Sequence, residues 1–307
     1  MTLKLKILLP VIFFSIIGLS VVFSNFSIAQ SNDAVAIRVM PNPEHYSALR
    51  WYKENIESSQ QGSPSQLLVD GYIAVRDGRT VYVNVGNTSG KTLYTNIYIM
   101  SYTQNANSDT QDIFGQLLGN WTFNINLINE NGAGSCRSLM DNSKDKKLCY
   151  TDADCGLNSN LYCDSAKAKV TRDVRRLADL RDMESVLDDT KIELLAGTYI
   201  KGKTLSVWPS WQETLGKALG ITLPVDPLNS LWSCRNDAVK DPAKDGTCWN
   251  ETSKKFNDGT TEIPAGLENI GRVYSYSFVD NNYSICANRE EAIVYEDIAG
   301  DKPPTCF

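Results

Sequence analysis

The sequence predicts an α+β protein: an N-terminal α+β domain, a disulfide-rich linker, then a long helix packed on a small antiparallel sheet. Three observations carry this. Residues 79–85 and 93–102 alternate apolar positions with period two, placing Val81, Val83 and Val85 on one side of the first segment, as half-buried strands do. Residues 166–195 place Val170, Val174, Leu177, Leu180, Met183 and Leu187 three or four apart, with no Gly or Pro in the run, as an amphipathic helix does. All eight cysteines lie from residue 136 onward, and an even number in an exported protein reads as disulfides.

Export is read from the N-terminus. Lys4 and Lys6 precede the uncharged residues 7–23, and Ser27-Ile28-Ala29 is a small-x-small cleavage site. This is a secretory signal, with the mature chain starting at Gln30. The alternative is an uncleaved anchor, because seventeen residues lie near the lower limit for a span. Either way the two lysines hold that end inside, and the rest is extracellular or on the cell surface. The net charge of −6 includes +2 from Lys4 and Lys6, leaving −8 on the remainder. That excludes nucleic acid as a partner and leaves membrane contact only to an uncleaved N-terminal segment. The mature chain is too long for one small domain. Composition divides it into a signal or anchor at 1–29, an α+β domain at 30–130, a cysteine-rich linker at 131–165 and a helix-plus-sheet domain at 166–307.

Within the first domain, residues 43–56 predict a helix, with Pro43 near its first turn and Leu49, Tyr52 and Ile56 on one face. Residues 60–65 are a loop. The strands 79–85 and 93–102 form a hairpin closed by GNTSGK at 86–91. Ser108 to Gln111 form a capping box before Ile113, Phe114, Leu117 and Leu118, predicting a short helix. Residues 121–128 read as a closing strand. Residues 131–164 are too poor in aliphatics to make a core, so disulfides must order them. Of the three ways to pair Cys136, Cys149, Cys155 and Cys163, the alternating one is adopted: Cys136 with Cys155, Cys149 with Cys163.

The long helix is capped by Asp164 or Ser165 and stopped by Gly197. Its thirty residues would span roughly 45 Å. Arg172, Arg175, Arg176, Asp179, Arg181 and Asp182 lie mostly off the apolar stripe, with Arg175 and Asp179 spaced to pair on the solvent side. Beyond it come a short helix at 211–219, a charged loop at 236–257, a hairpin of 272–279 and 283–287 around Asp280-Asn281-Asn282, and a last strand at 292–295. Cys234 is expected to bridge Cys248, and Cys286 to bridge Cys306.

The run TRDVRRLADLRDMESVLD at 171–188 resembles the C-terminal half of the long helix of type II secretion pseudopilins and related type IV pilins, where RDxxRLADLxxIxxAL leads into a globular head. Residues 197–229, with Trp208-Pro209 and Leu223-Pro224-Val225-Asp226-Pro227, are similar to the Gly-Tyr-Pro stretch and the later Pro-x-Asp-Pro turn of such heads. The resemblance covers about residues 167–286, under half of the chain. It departs at the hydrophobic segment, which ends at Phe23 instead of running straight into this helix. The run DGYIAVRDGRTVYVN at 70–84 is similar to stretches in exported bacterial envelope proteins. The resemblance implies a pilin-like head, self-assembly or other envelope proteins as partners, and calcium held in a loop after the helix.

Candidate sites follow. Asp237, Asp241 and Asp245 form one acidic cluster, favoured for calcium by the resemblance; Asp152, Asp154 and Asn158 form another. Neither matches an EF-hand. With one histidine and no CxxC pair, structural zinc is not expected. Residues 86–92 look like a phosphate loop but have three residues between the glycines where the motif needs four, and lie between two strands. His45, beside Glu44, lacks a nucleophile elbow or an unpaired cysteine as company and reads as a packing residue. Tyr94, Tyr98 and Tyr102 share one strand face: exposed, they suit glycan or peptide binding; covered by the helices at 44–56 or 109–118, they are core. The expected function is a non-enzymatic, exported cell-surface or pilus-like structural or adhesion protein, with no cofactor besides the candidate calcium. The alternatives are a glycan- or peptide-binding adhesin, or a cell-envelope hydrolase using carboxylates.

Overall fold

The computed structural model describes residues 33–89, 92–128, 132–139, 143–156, 160–195, 203–230, 249–250, 255–256, 272–290 and 305–306. The alternating segments form an antiparallel sheet of five strands: β1 (Val35–Pro41), β2 (Ser65–Val69), β3 (Tyr72–Asp77), β4 (Thr80–Ser89) and β5 (Thr92–Tyr102), in the order β1-β5-β4-β3-β2. The β4–β5 hairpin pairs Val81 with Met100, Val83 with Tyr98 and Ser89 with Thr92, so residues 86–89, expected in the closing loop, belong to β4. The β2–β3 hairpin turns at Asp70 and Gly71, both with positive φ (52° and 84°), the conformation that makes Asp-Gly a favoured two-residue turn.

Two helices cover opposite faces. Helix α1 (Ala48–Asn55) presses Trp51 and Tyr52 onto Tyr82 and Ile97. Helix α2 (Ser108–Asn120) buries Phe114 and Leu118 with Val81, Val83 and Met100. Both start later than, or otherwise than, the sequence suggests. The hydroxyl of Ser47, not Pro43, begins α1 by accepting from Arg50 N, and Leu49 is exposed while Ala48, Trp51 and Tyr52 are buried. His45 stands just before with φ 55°, which a helical turn cannot contain. The α2 cap is Asn107, which accepts from Thr110 N, not the box starting at Ser108. Residues 121–128 are not a strand but a loop with a 3-10 turn at Ile125–Leu127.

Residues 134–163 form more than a linker. Strands β6 (Gly134–Ser138), β7 (Lys144–Cys149) and β8 (Leu161–Cys163) make a three-stranded sheet ordered β7-β6-β8. Cys136 is bonded to Cys155 and Cys149 to Cys163, the alternating arrangement. Each loop is worth about 3 kcal/mol in the chain-entropy view. The four half-cystines pack on Ala168 of the long helix. A Cβ at Gly134 would lie 2.2 Å from Ser165 N, so this module abuts the start of the helix backbone to backbone.

The long helix, α3 (Ala166–Asp188), is 23 residues, about 34 Å. Ser165 caps it by accepting from Ala168 N. It ends well before Leu195: Thr190 Oγ1 donates back to Val186 O, and Asp188 and Asp189 meet the negative end of the helix dipole. A separate turn, α4 (Ile192–Leu195), follows. A four-stranded sheet comprises β9 (Lys203–Leu205), β12 (Tyr274–Val279), β13 (Asn282–Ala287) and β14 (Thr305–Cys306), ordered β14-β13-β12-β9. Its central hairpin turns at Asp280 and Asn281, both at positive φ, and Cys286 is bonded to Cys306. A π-helical turn at Trp211–Gly216 running into α5 (Lys217–Leu219) stands where a short helix is expected. Strands β10 (Trp249–Asn250) and β11 (Lys255–Phe256) pair within the expected charged loop. Among the described residues no helix is long and apolar enough to cross a membrane. The signal segment, Gly197, Cys234, Cys248 and the strand expected at 292–295 lie outside the described residues.

Helix α3 does not lay its whole stripe on the four-stranded sheet, as the spacing suggests. Val170, Val174 and Leu177 join the first core with Val81, Val83, Val85 and Leu93. Leu180, Met183 and Leu187 join the second, with Trp211, Tyr274, Tyr276, Phe278 and Ile285. The changes of composition at 130 and 165 are therefore not breaks in packing. At Gly86 a Cβ would come within 2.2 Å of Val174 Cγ2: helix and sheet backbone approach there because the residue is glycine.

Candidate binding cleft and the charged staple behind it

On the α2 face of the first sheet, the helix stops short of the hairpin end. The chain leaving it, residues 121–126, forms one wall of a cleft of roughly 250 Å³, and β4 and β5 form its floor. Register sets the floor: Val83 opposes Tyr98, Val85 opposes Asn96 and Asn87 opposes Tyr94. The cleft is lined by aromatic and amide groups, among them Tyr98, Trp121, Phe123, Asn87, Asn96 and Asn126. Tyr98 and Trp121 meet Phe123 with ring centroids 5.0 and 5.9 Å apart. The indole Nε1 of Trp121 is buried and donates to no group among the described residues.

This wall is pinned. Asp70 Oδ2 accepts from Phe123 N at 2.6 Å. Asn124, at φ 53°, accepts from Tyr72 Oη and donates to Gly86 O, at 2.7 and 2.8 Å; Asn tolerates this left-handed backbone better than most residues. Asp70 in turn holds Lys167 of α3 with both carboxylate oxygens, at 2.8 and 2.7 Å. The start of the long helix thus fixes the β2–β3 turn, which fixes the cleft wall.

The same helix carries a buried ionic staple. Arg176, fully buried, grips Asp226 with two nitrogens at 2.6 and 2.9 Å and reaches Asp173 and Glu290 at 2.8 and 2.7 Å. Arg172 grips Glu290 with two nitrogens, both at 2.6 Å, and reaches Asp152 at 2.6 Å and Cys163 O at 3.0 Å. These arginines are not solvent-facing, as their place off the apolar stripe suggests. Buried charge survives only where paired and hydrogen-bonded, and here the partners come from the cysteine-rich module, the Pro-Val-Asp-Pro turn and the segment after β13. Arg175 and Asp179 do pair, at 3.5 Å, and Tyr274 Oη donates to Asp179 at 2.7 Å.

Burial raises the Glu290 carboxyl, but Arg176 and Arg172 outweigh it and hold the group down to about 2. Burial pushes Asp179 up to about 6, with Arg175 and the Tyr274 hydroxyl opposing only in part. The signs are opposite. Glu290 contributes stability above its ordinary 4.5 that is lost as pH falls toward 2. Asp179 keeps its proton in the fold up to about 6 but releases it near 3.8 when unfolded, so its cost to stability builds as pH rises from 3.8 to 6, stays level above, and fades on acidification. Between them these two groups place maximal stability between 3.8 and 4.5, where the contribution of Glu290 is nearly complete and the cost of Asp179 has only begun to build. Asp179→Asn, which can still accept from Tyr274, is expected to raise the thermal midpoint at neutral pH and to remove the part of its decline between 3.8 and 6 that Asp179 causes. A pH series of melts checks this.

The candidate residues from the sequence fare differently. Tyr102 is covered by α2, its ring 5.2 Å from Phe114. Tyr98 lines the cleft, and Tyr94 beyond it is 38% exposed, so the three do not act as one platform. Asp152 accepts from Cys163 N and Arg172, and Asp154 caps a 3-10 turn by accepting from Tyr150 N and Thr151 N: both acids serve the fold. Asn158, Asp237, Asp241 and Asp245 lie outside the described residues. The one triad of metal-type side chains close enough to share an ion among the described residues is Cys136, Cys149 and Cys155, whose sulfurs are in disulfides. His45 is buried with Nδ1 3.0 Å from Thr95 Oγ1. That hydroxyl gives its own proton to Asn42 O, so the imidazole Nδ1 is the donor and the histidine ties a loop to β5. Sequence reasoning missed Trp121, Asn96 and Asn126; the Asn-Ile-Asn run at 124–126, poor in strand formers at both asparagines, is the signal against a strand there. Comparison with protein-family models, with curated proteins and with solved structures finds no match.

Proposed function

We propose that the chain is an exported, non-enzymatic surface protein with a structural or adhesive role. One observation carries this. The buried charged groups of the long helix are spent on one another and on Asp70, Asp152, Asp226 and Glu290, clamping three sheets to one helix. Carboxylates in such bidentate pairs are held by the fold and do not converge on a substrate, as a hydrolase would need. The cleft instead offers amides and aromatic rings, groups of recognition. The three disulfides among the described residues fit an oxidising compartment, and the packing of Leu180, Met183 and Leu187 on an antiparallel sheet supports a pilin-like head as the finer reading.

The test is fractionation of producing cells. The protein is expected in the surface or medium fraction, oxidised, with Gln30 at its N-terminus or with an intact anchor, and digestible by protease added to whole cells. Recovery from the cytosol with reduced cysteines would refute the proposal.

A further inference from the structure

We infer that the cleft between residues 121–126 and the β4–β5 floor binds a neutral saccharide. The inference rests on the adhesive reading and names its ligand class. Three features argue for it. Tyr98 and Trp121 line the space, both in ring contact with Phe123; aromatic groups with an apolar body and a polar tip suit a sugar ring, which is itself apolar on its C–H face and polar at its edge. The side chains of Asn96 and Asn126 line the same space and make no hydrogen bond to the described chain. Each amide offers a donor and an acceptor side by side, the complement of adjacent hydroxyls. The lining includes no ionisable acid or base other than the tyrosine phenol, so an anionic or cationic ligand would be desolvated there without a counter-charge.

Size and rigidity favour a sugar over a peptide. A space of roughly 250 Å³ lies at or below the small end of ligand pockets and has the scale of one ring with its neighbours outside. Its wall is fixed beforehand by Asp70 and Asn124, which lowers the ordering cost that weakens binding of polar ligands. An extended peptide would instead be expected to pair with an open strand edge; Asn96 and Tyr98 of β5 are already paired with β1, and Gly86 O of β4 is taken by Asn124.

The test is calorimetric titration of the mature, oxidised protein with four neutral trisaccharides: cellotriose, maltotriose, mannotriose and triacetylchitotriose. At least one is expected to saturate below about 10 mM. Tyr98→Ala and Asn126→Ala should each weaken that ligand at least about fivefold, and Arg175→Ala, remote from the cleft, should not. Tyr98 also packs on Phe123, so its variant could loosen the fold; Asn126 is exposed and supports nothing, and its variant keeps the test decisive. Absence of binding by all four sugars, binding indifferent to Asn126→Ala, or saturable binding of a neutral peptide in place of every sugar would each overturn the inference. None of these outcomes alters where the protein is found in fractionated cells, so failure of the ligand and failure of the surface role are told apart.

Discussion

Replacing Arg176 by alanine is expected to destabilise the chain by about 3–5 kcal/mol. The side chain is fully buried and is the shared partner of Asp173, Asp226 and Glu290. Removing it leaves three carboxyl groups facing one another with one guanidinium, Arg172, bound to only one of them. Losing one partner of a buried pair costs more than the pair contributes, because the remaining charge is neither hydrated nor compensated. Asp173 is already driven upward by its burial, against the pull of Arg176, so without that arginine it would take up a proton more readily still. The loss should show in urea unfolding at neutral pH, and should shrink in mild acid, where protonation relieves the carboxylates. Arg175→Ala is the control. Its side chain is 40% exposed, and a pair of that kind is worth about 1 kcal/mol or less. Equal effects for the two arginines would mean that the staple is not buried as described.

Leu177→Ala and Leu180→Ala are expected to cost about 2–5 kcal/mol each, by lost burial and the cavity left behind. Both leucines are fully buried and stand one turn apart on α3, yet they belong to different cores: Leu177 to that of the five-stranded sheet, Leu180 to that of the four-stranded sheet. If the helix transmits between them, each variant should lower one common unfolding transition in calorimetry, instead of splitting off a first step. Two separated transitions, each moved by one variant only, would contradict this.

How much of this the sequence shows depends on the range of the interaction. The β4–β5 hairpin, the β12–β13 hairpin and the presence of the long helix rest on local periodicity and turn residues, which act within about ten residues. Strands β2 and β3 were equally open to that reasoning. Asp70-Gly71 is a favoured hairpin turn, and Leu67 and Ala74 flank it in register, though the alternation on either side is weaker than at 79–85. The staple is a different matter. Arg176 pairs with Asp226 and Glu290, 50 and 114 residues away, and nothing local separates a buried arginine from the usual exposed one. The division of α3 between two cores is invisible for the same reason: one continuous stripe looks identical whether one sheet or two receive it. The cleft was half legible. Tyr98 stood out on its strand, but its companions sit on a loop that the alternation of 121–128 disguises as a strand.

The central claim is that α3 is a shared spine on which the sheets and the cysteine-rich module fold as one unit. Hydrogen exchange of the oxidised protein carrying Leu180→Ala, read segment by segment against the parent, tests it most directly. The account predicts that amides of β4 and β5, which Leu180 does not join in a common core, lose protection together with those of β12 and β13. Loss confined to β12 and β13, with β4 and β5 exchanging as in the parent, would contradict it.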